Sequence, residues 1–307
     1  MYPWFQNLLA TFQHRVNQQQ LHHGLLLIAE TGIGSDALIN GIAQTLVCQT
    51  ANNCGECKAC KLFEASSHPD IKRVVSDKPS IGVDLIREVG EFVTSTSQLL
   101  GNKVVIIEDI ERMTESASNS LLKTLEEPNN NTYLLLSTSS ANSVLPTIKS
   151  RCEKINVSTP AASESLPWIK SQTNKAVTKE GLMAFSNRPL EYLESLNEGK
   201  LGFEDFHEKF NQLIDKKVHA FMLAESYKDN AAKVVAWAYM LLIQRYQTML
   251  LGKGNHAESL ASTEYDSMQR LAESIDACKQ ANLKISQAGI NKSLLLQKVF
   301  NKIQMST

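Results

Sequence analysis

The run Gly24-Leu-Leu-Leu-Ile-Ala29, followed almost at once by Thr31-Gly-Ile-Gly34, constrains this chain more than any other feature. A short, uninterrupted apolar stretch is the pattern of a strand buried on both faces of a parallel sheet. Glycines directly after it permit the tight turn that sends the chain into a helix. Ser35 then reads as the helix N-cap with Asp36 in the first turn, and Ala37, Leu38, Ile42, Leu46 and Val47 supply an approximately helical apolar stripe. Strand, glycine loop and helix in this order open a nucleotide-binding α/β domain. Parallel strands need crossovers, so further strand–helix alternation is required. It is present. Lys103–Ile107 is a second apolar run closed by Glu108-Asp109, Tyr133–Ser137 a third, and Lys154–Val157 a short fourth. Between the second and third, Thr114 caps a helix whose apolar face is Ala117, Leu121, Leu122 and Leu125, and Pro128 ends it. The pattern predicts a largely parallel sheet covered on both faces.

After Ser158 the strands stop and helical patterns take over. We expect an α/β domain over residues 1–158, a small helical unit over 159–200 and a helical bundle over 201–307. Thr178-Lys-Glu-Gly181 opens a helix in the small unit, Val234–Leu251 and Ser293–Ile303 are helices of the bundle, and Gly252–His256 reads as a polar loop. The balance of 31 Lys+Arg against 32 Asp+Glu argues against a broad electrostatic grip on nucleic acid; DNA contact is expected to be local or made by partners. Met1-Tyr-Pro-Trp-Phe5 has neither a basic start nor a long apolar core, so no targeting segment is expected. The longest apolar run, Val234–Ile243, is too short to span a bilayer. No membrane association is expected, and the cytoplasm, where thiols stay reduced, is the expected compartment.

The glycine loop has lost its chemistry. A working phosphate loop, G-x-x-x-x-G-K-[ST], cradles phosphates with backbone amides, reaches the β- and γ-phosphates with lysine and holds magnesium through the hydroxyl. The corresponding stretch is Ala29-Glu-Thr-Gly-Ile-Gly-Ser-Asp36: Gly32 and Gly34 remain in the turn, Ala29 stands at the first glycine position, Ser35 at the lysine and Asp36 at the hydroxyl. Losing the lysine removes the main positive charge, and Asp36 sets a carboxylate where phosphates would lie. At an effective dielectric of about 20 that repulsion costs a few kcal/mol. The loop reads as a structural relic, with a weak nucleotide site as the alternative.

Cys48-x5-Cys54-x2-Cys57-x2-Cys60 is a strong signal of another kind. Spacers this short let four thiolates converge on one tetrahedral ion, and structural zinc suits four sulfur ligands. The insert has few apolar residues, so a metal would staple it. Disulfides, free thiols and an iron–sulfur cluster are the alternatives; disulfides suit neither the compartment nor the geometry of such near neighbours. His68, in His68-Pro-Asp70, is a candidate extra ligand but reads better as a turn residue.

The degenerate loop with its cysteine module, Asn119-Ser-Leu-Leu-Lys-Thr-Leu-Glu-Glu-Pro128 and Ser150-Arg-Cys152 together resemble the AAA+ clamp loader family, whose members share an LLKxLEEP segment and an SRC motif. Tyr2-Pro-Trp4, His23-Gly-Leu-Leu26 and Gly289-Ile-Asn-Lys292 extend the resemblance along the chain. It implies a RecA-like (AAA+) N-terminal domain, a small helical lid and an all-α collar that oligomerises. It also implies a place beside delta and gamma/tau ATPase subunits in a ring of the replicative DNA polymerase III holoenzyme, a ring that loads the sliding β clamp onto primed DNA.

By the same resemblance Arg151 is an arginine finger reaching a neighbour's ATP site, with Ser150 and Cys152 positioning its turn. A guanidinium offers a rigid fork of donors to oxygens whose charge grows in the transition state, and it acts outward, so it survives loss of the chain's own loop. No intrinsic ATP hydrolysis is expected. Arg188 falls near the position of an ATP-sensing arginine, although Pro189 departs from the usual pattern. Lys123, Glu126 and Glu127 read as helix-surface salt-bridge formers. An active gamma/tau-like ATPase is the alternative, and Ser35 and Asp36 argue against it. An independent zinc-dependent DNA-binding protein fits poorly with the near-neutral charge.

Overall fold

The computed structural model describes residues 1–198, 202–251, 262–287 and 289–306. The chain forms two compact units, Met1–Trp168 and Ile169–Thr307. In chain order the first contains α1 (Gln6–Asn17), β1 (Gly24–Ala29), α2 (Ser35–Val47), α3 (Lys58–Glu64), β2 (Ile71–Val74) and α4 (Val83–Thr94). It continues with β3 (Lys103–Ile107), α5 (Glu115–Glu126), β4 (Thr132–Thr138), α6 (Pro146–Lys149) and β5 (Glu153–Val157).

Every strand pairing is parallel, and the order is β2-β3-β4-β1-β5. This is the RecA-like sheet of AAA+ domains. The inner strands β1, β3 and β4 are the continuous apolar runs of the sequence, because both of their faces are covered. Alternate side chains go to opposite faces. Leu25, Leu27, Val104, Ile106 and Leu135 pack with α1 and α2. Leu26, Val105, Ile107, Leu134 and Leu136 pack with α4 and α5. Leu121 is fully buried on the second face, and truncating such a leucine to alanine costs about 2–5 kcal/mol.

The edges are different. β5 begins one residue before the expected Lys154, and β2, Ile71-Lys-Arg-Val74, was not expected at all, since its mixed polarity suits a half-exposed edge. One local expectation is corrected: the N-cap of α2 is Gly34, in the left-handed conformation at φ 80°, and Ser35 is the first helical residue. Thr114 does cap α5, accepting a hydrogen bond from Ala117 N at 3.2 Å.

The unit boundary falls within α7 (Ala162–Gln172). The second unit is helical: α8 (Lys179–Ala184), α9 (Pro189–Glu198), α10 (Phe203–Ile214), α11 (Ala220–Ser226), α12 (Ala231–Leu251), α13 (Ser262–Lys284) and α14 (Lys292–Ser306). Thr178 caps α8 by accepting from Gly181 N at 2.9 Å. An aromatic cluster of Phe185, Tyr192, Phe203, Phe206, Tyr227, Trp237 and Phe300 fills its interior, joining side chains from both sides of residue 200. The loop expected at Gly252–His256 lies outside the described residues.

Candidate functional site

Gly32 and Gly34 both adopt left-handed backbone, at φ 79° and 80°, and turn the chain from β1 into α2. The close approach that these glycines allow is taken up by protein. A Cβ added to Gly34 would stand 2.2 Å from Tyr2 Cε2. Tyr2 stacks parallel on Trp4 with ring centroids 5.0 Å apart, and Trp168 meets both rings edge-on at 5.2 and 5.3 Å. The Trp4 indole N–H donates to the Ile33 carbonyl at 3.0 Å, pinning this aromatic cap to the loop. Burial, and secondarily the Asp36 charge, push the Tyr2 phenol above its ordinary range, so it stays neutral.

Around the loop the charge is wrong for a triphosphate. Burial raises the pKa of Glu108, the acidic residue closing β3. Arg73 opposes that shift, while Asp36 and Asp109 reinforce it. Arg73 reaches from β2 to Glu108 at 3.5 Å and also donates to Asn40 Oδ1 on α2. Of the three carboxyl groups near the loop, Glu108 pairs with Arg73 and Asp109 with Arg112 at 3.8 Å. Where a working loop keeps a lysine, Ser35 offers no charge at all.

The second site is the turn between α6 and β5. Ser150 Oγ donates to Thr147 O at 3.0 Å, closing the turn. Cys152 is buried in the core on the α5 face, and burial pushes its thiol up to about 11, which suits packing rather than reactivity. Arg151, between them, points outward with its side chain 35% exposed. Its guanidinium pairs with the Glu126 carboxylate at the end of α5, and NH1 donates to Thr147 O at 3.0 Å. An exposed pair of this kind contributes about 0–1 kcal/mol. Glu126 thus takes the helix-surface salt-bridge role expected of it, with a partner on a different element. Beside this turn Glu153 is held bidentately by Arg15 at 2.7 and 2.6 Å, which keeps its carboxyl below the ordinary range.

The third is the cysteine insert between α2 and α3. The four Sγ atoms of Cys48, Cys54, Cys57 and Cys60 lie within 4.8 Å of one another, with Cys48–Cys54 at 3.7 Å and Cys54–Cys60 at 4.0 Å. Zinc–sulfur bonds of about 2.3 Å in a tetrahedron place sulfurs about 3.8 Å apart, so the donor set fits one zinc ion. The cysteines are unbridged. Backbone N–H groups of Cys57 and Cys60 donate to Cys54 Sγ and Cys57 Sγ, each at 3.4 Å, orienting the sulfurs as acceptors. Against the effect of burial, hydrogen bonds from Thr50 and the local backbone draw the Cys48 thiol down to about 5, while burial pushes Cys60 up to about 12. His68 stands outside the set: its Nδ1 accepts from Asp70 N at 3.1 Å, and burial lowers its pKa. It is a turn residue.

Arg188 belongs to the second unit, where it pairs with Glu191 at 2.8 Å and donates from Nε to Phe185 O at 3.0 Å. Among the described residues no helix is long and apolar enough to cross a membrane.

Known proteins resemble this arrangement. A family model described as DNA polymerase III, delta subunit, matches residues 5–161. DNA polymerase III subunit delta' of Haemophilus influenzae is 40% identical over 206 residues, 65% of this chain and 62% of that protein. The subunit of the same name from Pseudomonas aeruginosa is 43% identical over 175 residues, 55% of this chain and 52% of its own length. That from Escherichia coli is 35% identical over 192 residues, 60% and 56% of the two chains. The matched region therefore spans little more than half the length of these relatives. Among solved structures, a DNA polymerase III gamma subunit-related protein of Thermotoga maritima aligns over 97% of this chain and 98% of its own, at 20% identity and a TM-score of 0.46.

Proposed function

The chain belongs to the DNA polymerase III delta-subunit family, and from that premise we propose that it is a non-hydrolysing clamp loader subunit of the delta-prime kind. One observation carries the reading: Arg151 stands at the surface on a turn locked by Ser150 and Cys152, while the chain's own phosphate loop is capped by aromatic rings. A guanidinium placed outward on a chain whose own site is closed is suited to someone else's nucleotide.

In this reading the chain sits in a ring with gamma/tau ATPase subunits and a delta subunit in the cytoplasm. The ring opens the sliding β clamp and places it on primed DNA. Arg151 meets the γ-phosphoryl group in the neighbouring site and stabilises the charge that builds on its oxygens during hydrolysis. Fingers supplied in trans accelerate such reactions by about 10³–10⁵-fold. Residues 159–200 act as the lid and 201–307 as the collar that holds the ring. Cys48, Cys54, Cys57 and Cys60 would hold a structural zinc ion, which would supply a cross-link that the small insert cannot make from apolar contacts.

The test is ATP turnover by the reconstituted complex. Arg151→Ala is expected to leave assembly intact and to abolish DNA-stimulated hydrolysis at the adjoining site; unchanged turnover refutes the finger. Titration of the isolated chain with a fluorescent ATP analogue and magnesium is expected to show no saturable binding. Micromolar affinity would instead support a gamma/tau-like ATPase.

A further inference from the structure

Three separated sequence segments meet at the start of β1. A Cβ added to Gly24 would lie 3.0 Å from Leu125 Cδ2, 3.4 Å from Arg151 O and 3.4 Å from Cys152 Sγ, so only glycine lets the end of α5 and the Arg151 turn close on this strand without displacement. His23 Nε2 donates to Leu125 O at 3.0 Å and ties the last turn of α5 to the same place. Leu125 and Cys152 both point into the core. Their neighbours Glu126 and Arg151 have side chains 47% and 35% exposed, on backbone fixed on both sides. That is where the carboxylate and the guanidinium pair.

The guanidinium has two anchors on its own chain: Glu126 at NH2 and the Thr147 carbonyl at NH1, with Ser150 Oγ at the limit of reach at 3.5 Å. Arginine has five N–H donors. One NH2 hydrogen and the Nε–H have no partner among the described residues. The other nearby carboxylate, Glu153, is committed to Arg15. Among the described residues Glu126 is thus the one acidic partner of Arg151.

We propose that Glu126 is a positioning residue for Arg151: it restricts the long side chain to one orientation and leaves part of the fork to meet a phosphoryl group on a neighbouring subunit. The proposal rests on reading Arg151 as a finger acting in trans. A freely rotating arginine loses rotamer freedom when it engages. Anchoring it beforehand transfers part of that loss to the resting state, which raises the rate of the step in which the finger acts. Because the pair is solvent-exposed, its effect should be modest, about two- to five-fold.

The experiment is a double-mutant cycle on steady-state ATP hydrolysis by the reconstituted complex with primed DNA. Glu126→Gln keeps the size and removes the charge. It is expected to lower kcat about two- to five-fold while leaving KM for ATP unchanged, with Glu126→Asp between it and the wild type. Added to Arg151→Ala, Glu126→Gln should cause no further loss. The positioning role is overturned if Arg151→Ala lowers turnover while Glu126→Gln matches or exceeds the wild type. It is equally overturned if the Glu126→Gln loss persists undiminished without Arg151, appears only in KM, or reflects a complex that fails to assemble on size exclusion. Unchanged turnover by Arg151→Ala itself would overturn the finger reading, and this proposal with it.

Discussion

The two ends of β1 have been put to opposite uses. Beyond its C-terminal end the glycine loop keeps the backbone of a phosphate site, with left-handed Gly32 and Gly34, yet aromatic rings cover it and carboxyl groups surround it. At its N-terminal end Gly24 also admits close neighbours, but these bring an acidic and a basic side chain to the surface. Both glycines serve close packing. One arrangement closes a site inward, and the other presents a group outward. On the proposed reading, a nucleotide-binding fold would lose its own chemistry at one end of a strand while keeping, at the other, a part that acts on a neighbour, because the two depend on different residues.

The strongest way to break the comparison is Arg151→Ala, for which we expect about a 10³-fold or larger loss of hydrolysis at the adjoining site in the reconstituted complex. If the outward end matters no more than the inward one, turnover will not move. Next is an attempt to reopen the loop. Ser35→Lys with Asp36→Thr restores the missing charge and hydroxyl, but we expect saturable ATP-analogue binding only when Tyr2→Ala is added. Binding by the double variant alone would show that charge, and not the aromatic cap, closed the site.

Gly34→Ala should cost about 2–4 kcal/mol in chemical denaturation, since a left-handed residue with a Cβ is strained and the methyl strikes Tyr2. Gly24→Ala should cost about 1 kcal/mol, because its nearest contact is the movable end of the Leu125 side chain. A reversal of that order would mean that the Arg151 corner is the more tightly built. The smallest effect is at the flanking pair. Glu153→Gln should cost up to about 1 kcal/mol at neutral pH. The Arg15 guanidinium depresses the folded pKa of Glu153, so its contribution is present above the ordinary carboxylate pKa and is lost as pH falls through the depressed value. The stability difference between variant and wild type should vanish in acid.

What was legible in the sequence follows the physics of burial. β1, β3 and β4 announce themselves because strands covered on both faces need apolar residues throughout. β2 does not, because Lys72 and Arg73 on an edge strand look like loop composition. The cysteine cluster was readable since its four thiols are close in sequence. The aromatic cap was not: Tyr2 and Trp4 meet Trp168 across nearly the whole first unit, and nothing local in Tyr2-Pro-Trp4 says which loop it will cover. Glu126 forms the surface salt bridge expected of it, but which residue it meets was not legible for the same reason, Arg151 being remote in sequence. The left-handed Gly34 took the capping position from Ser35 because the turn ends, and the helix begins, one residue earlier than composition suggests.

The aromatic cap also gives this protein an internal optical reporter. Of its three tryptophans, Trp4 and Trp168 lie in the cap, with rings 5.3 Å apart, and Trp237 is buried in the second unit. Two indoles at that separation couple electronically, and the coupled near-ultraviolet circular dichroism decays as soon as the rings part. A Trp237→Phe background would leave the cap as the source of the tryptophan signal, so the covering of the glycine loop can be followed by light alone, without any added ligand.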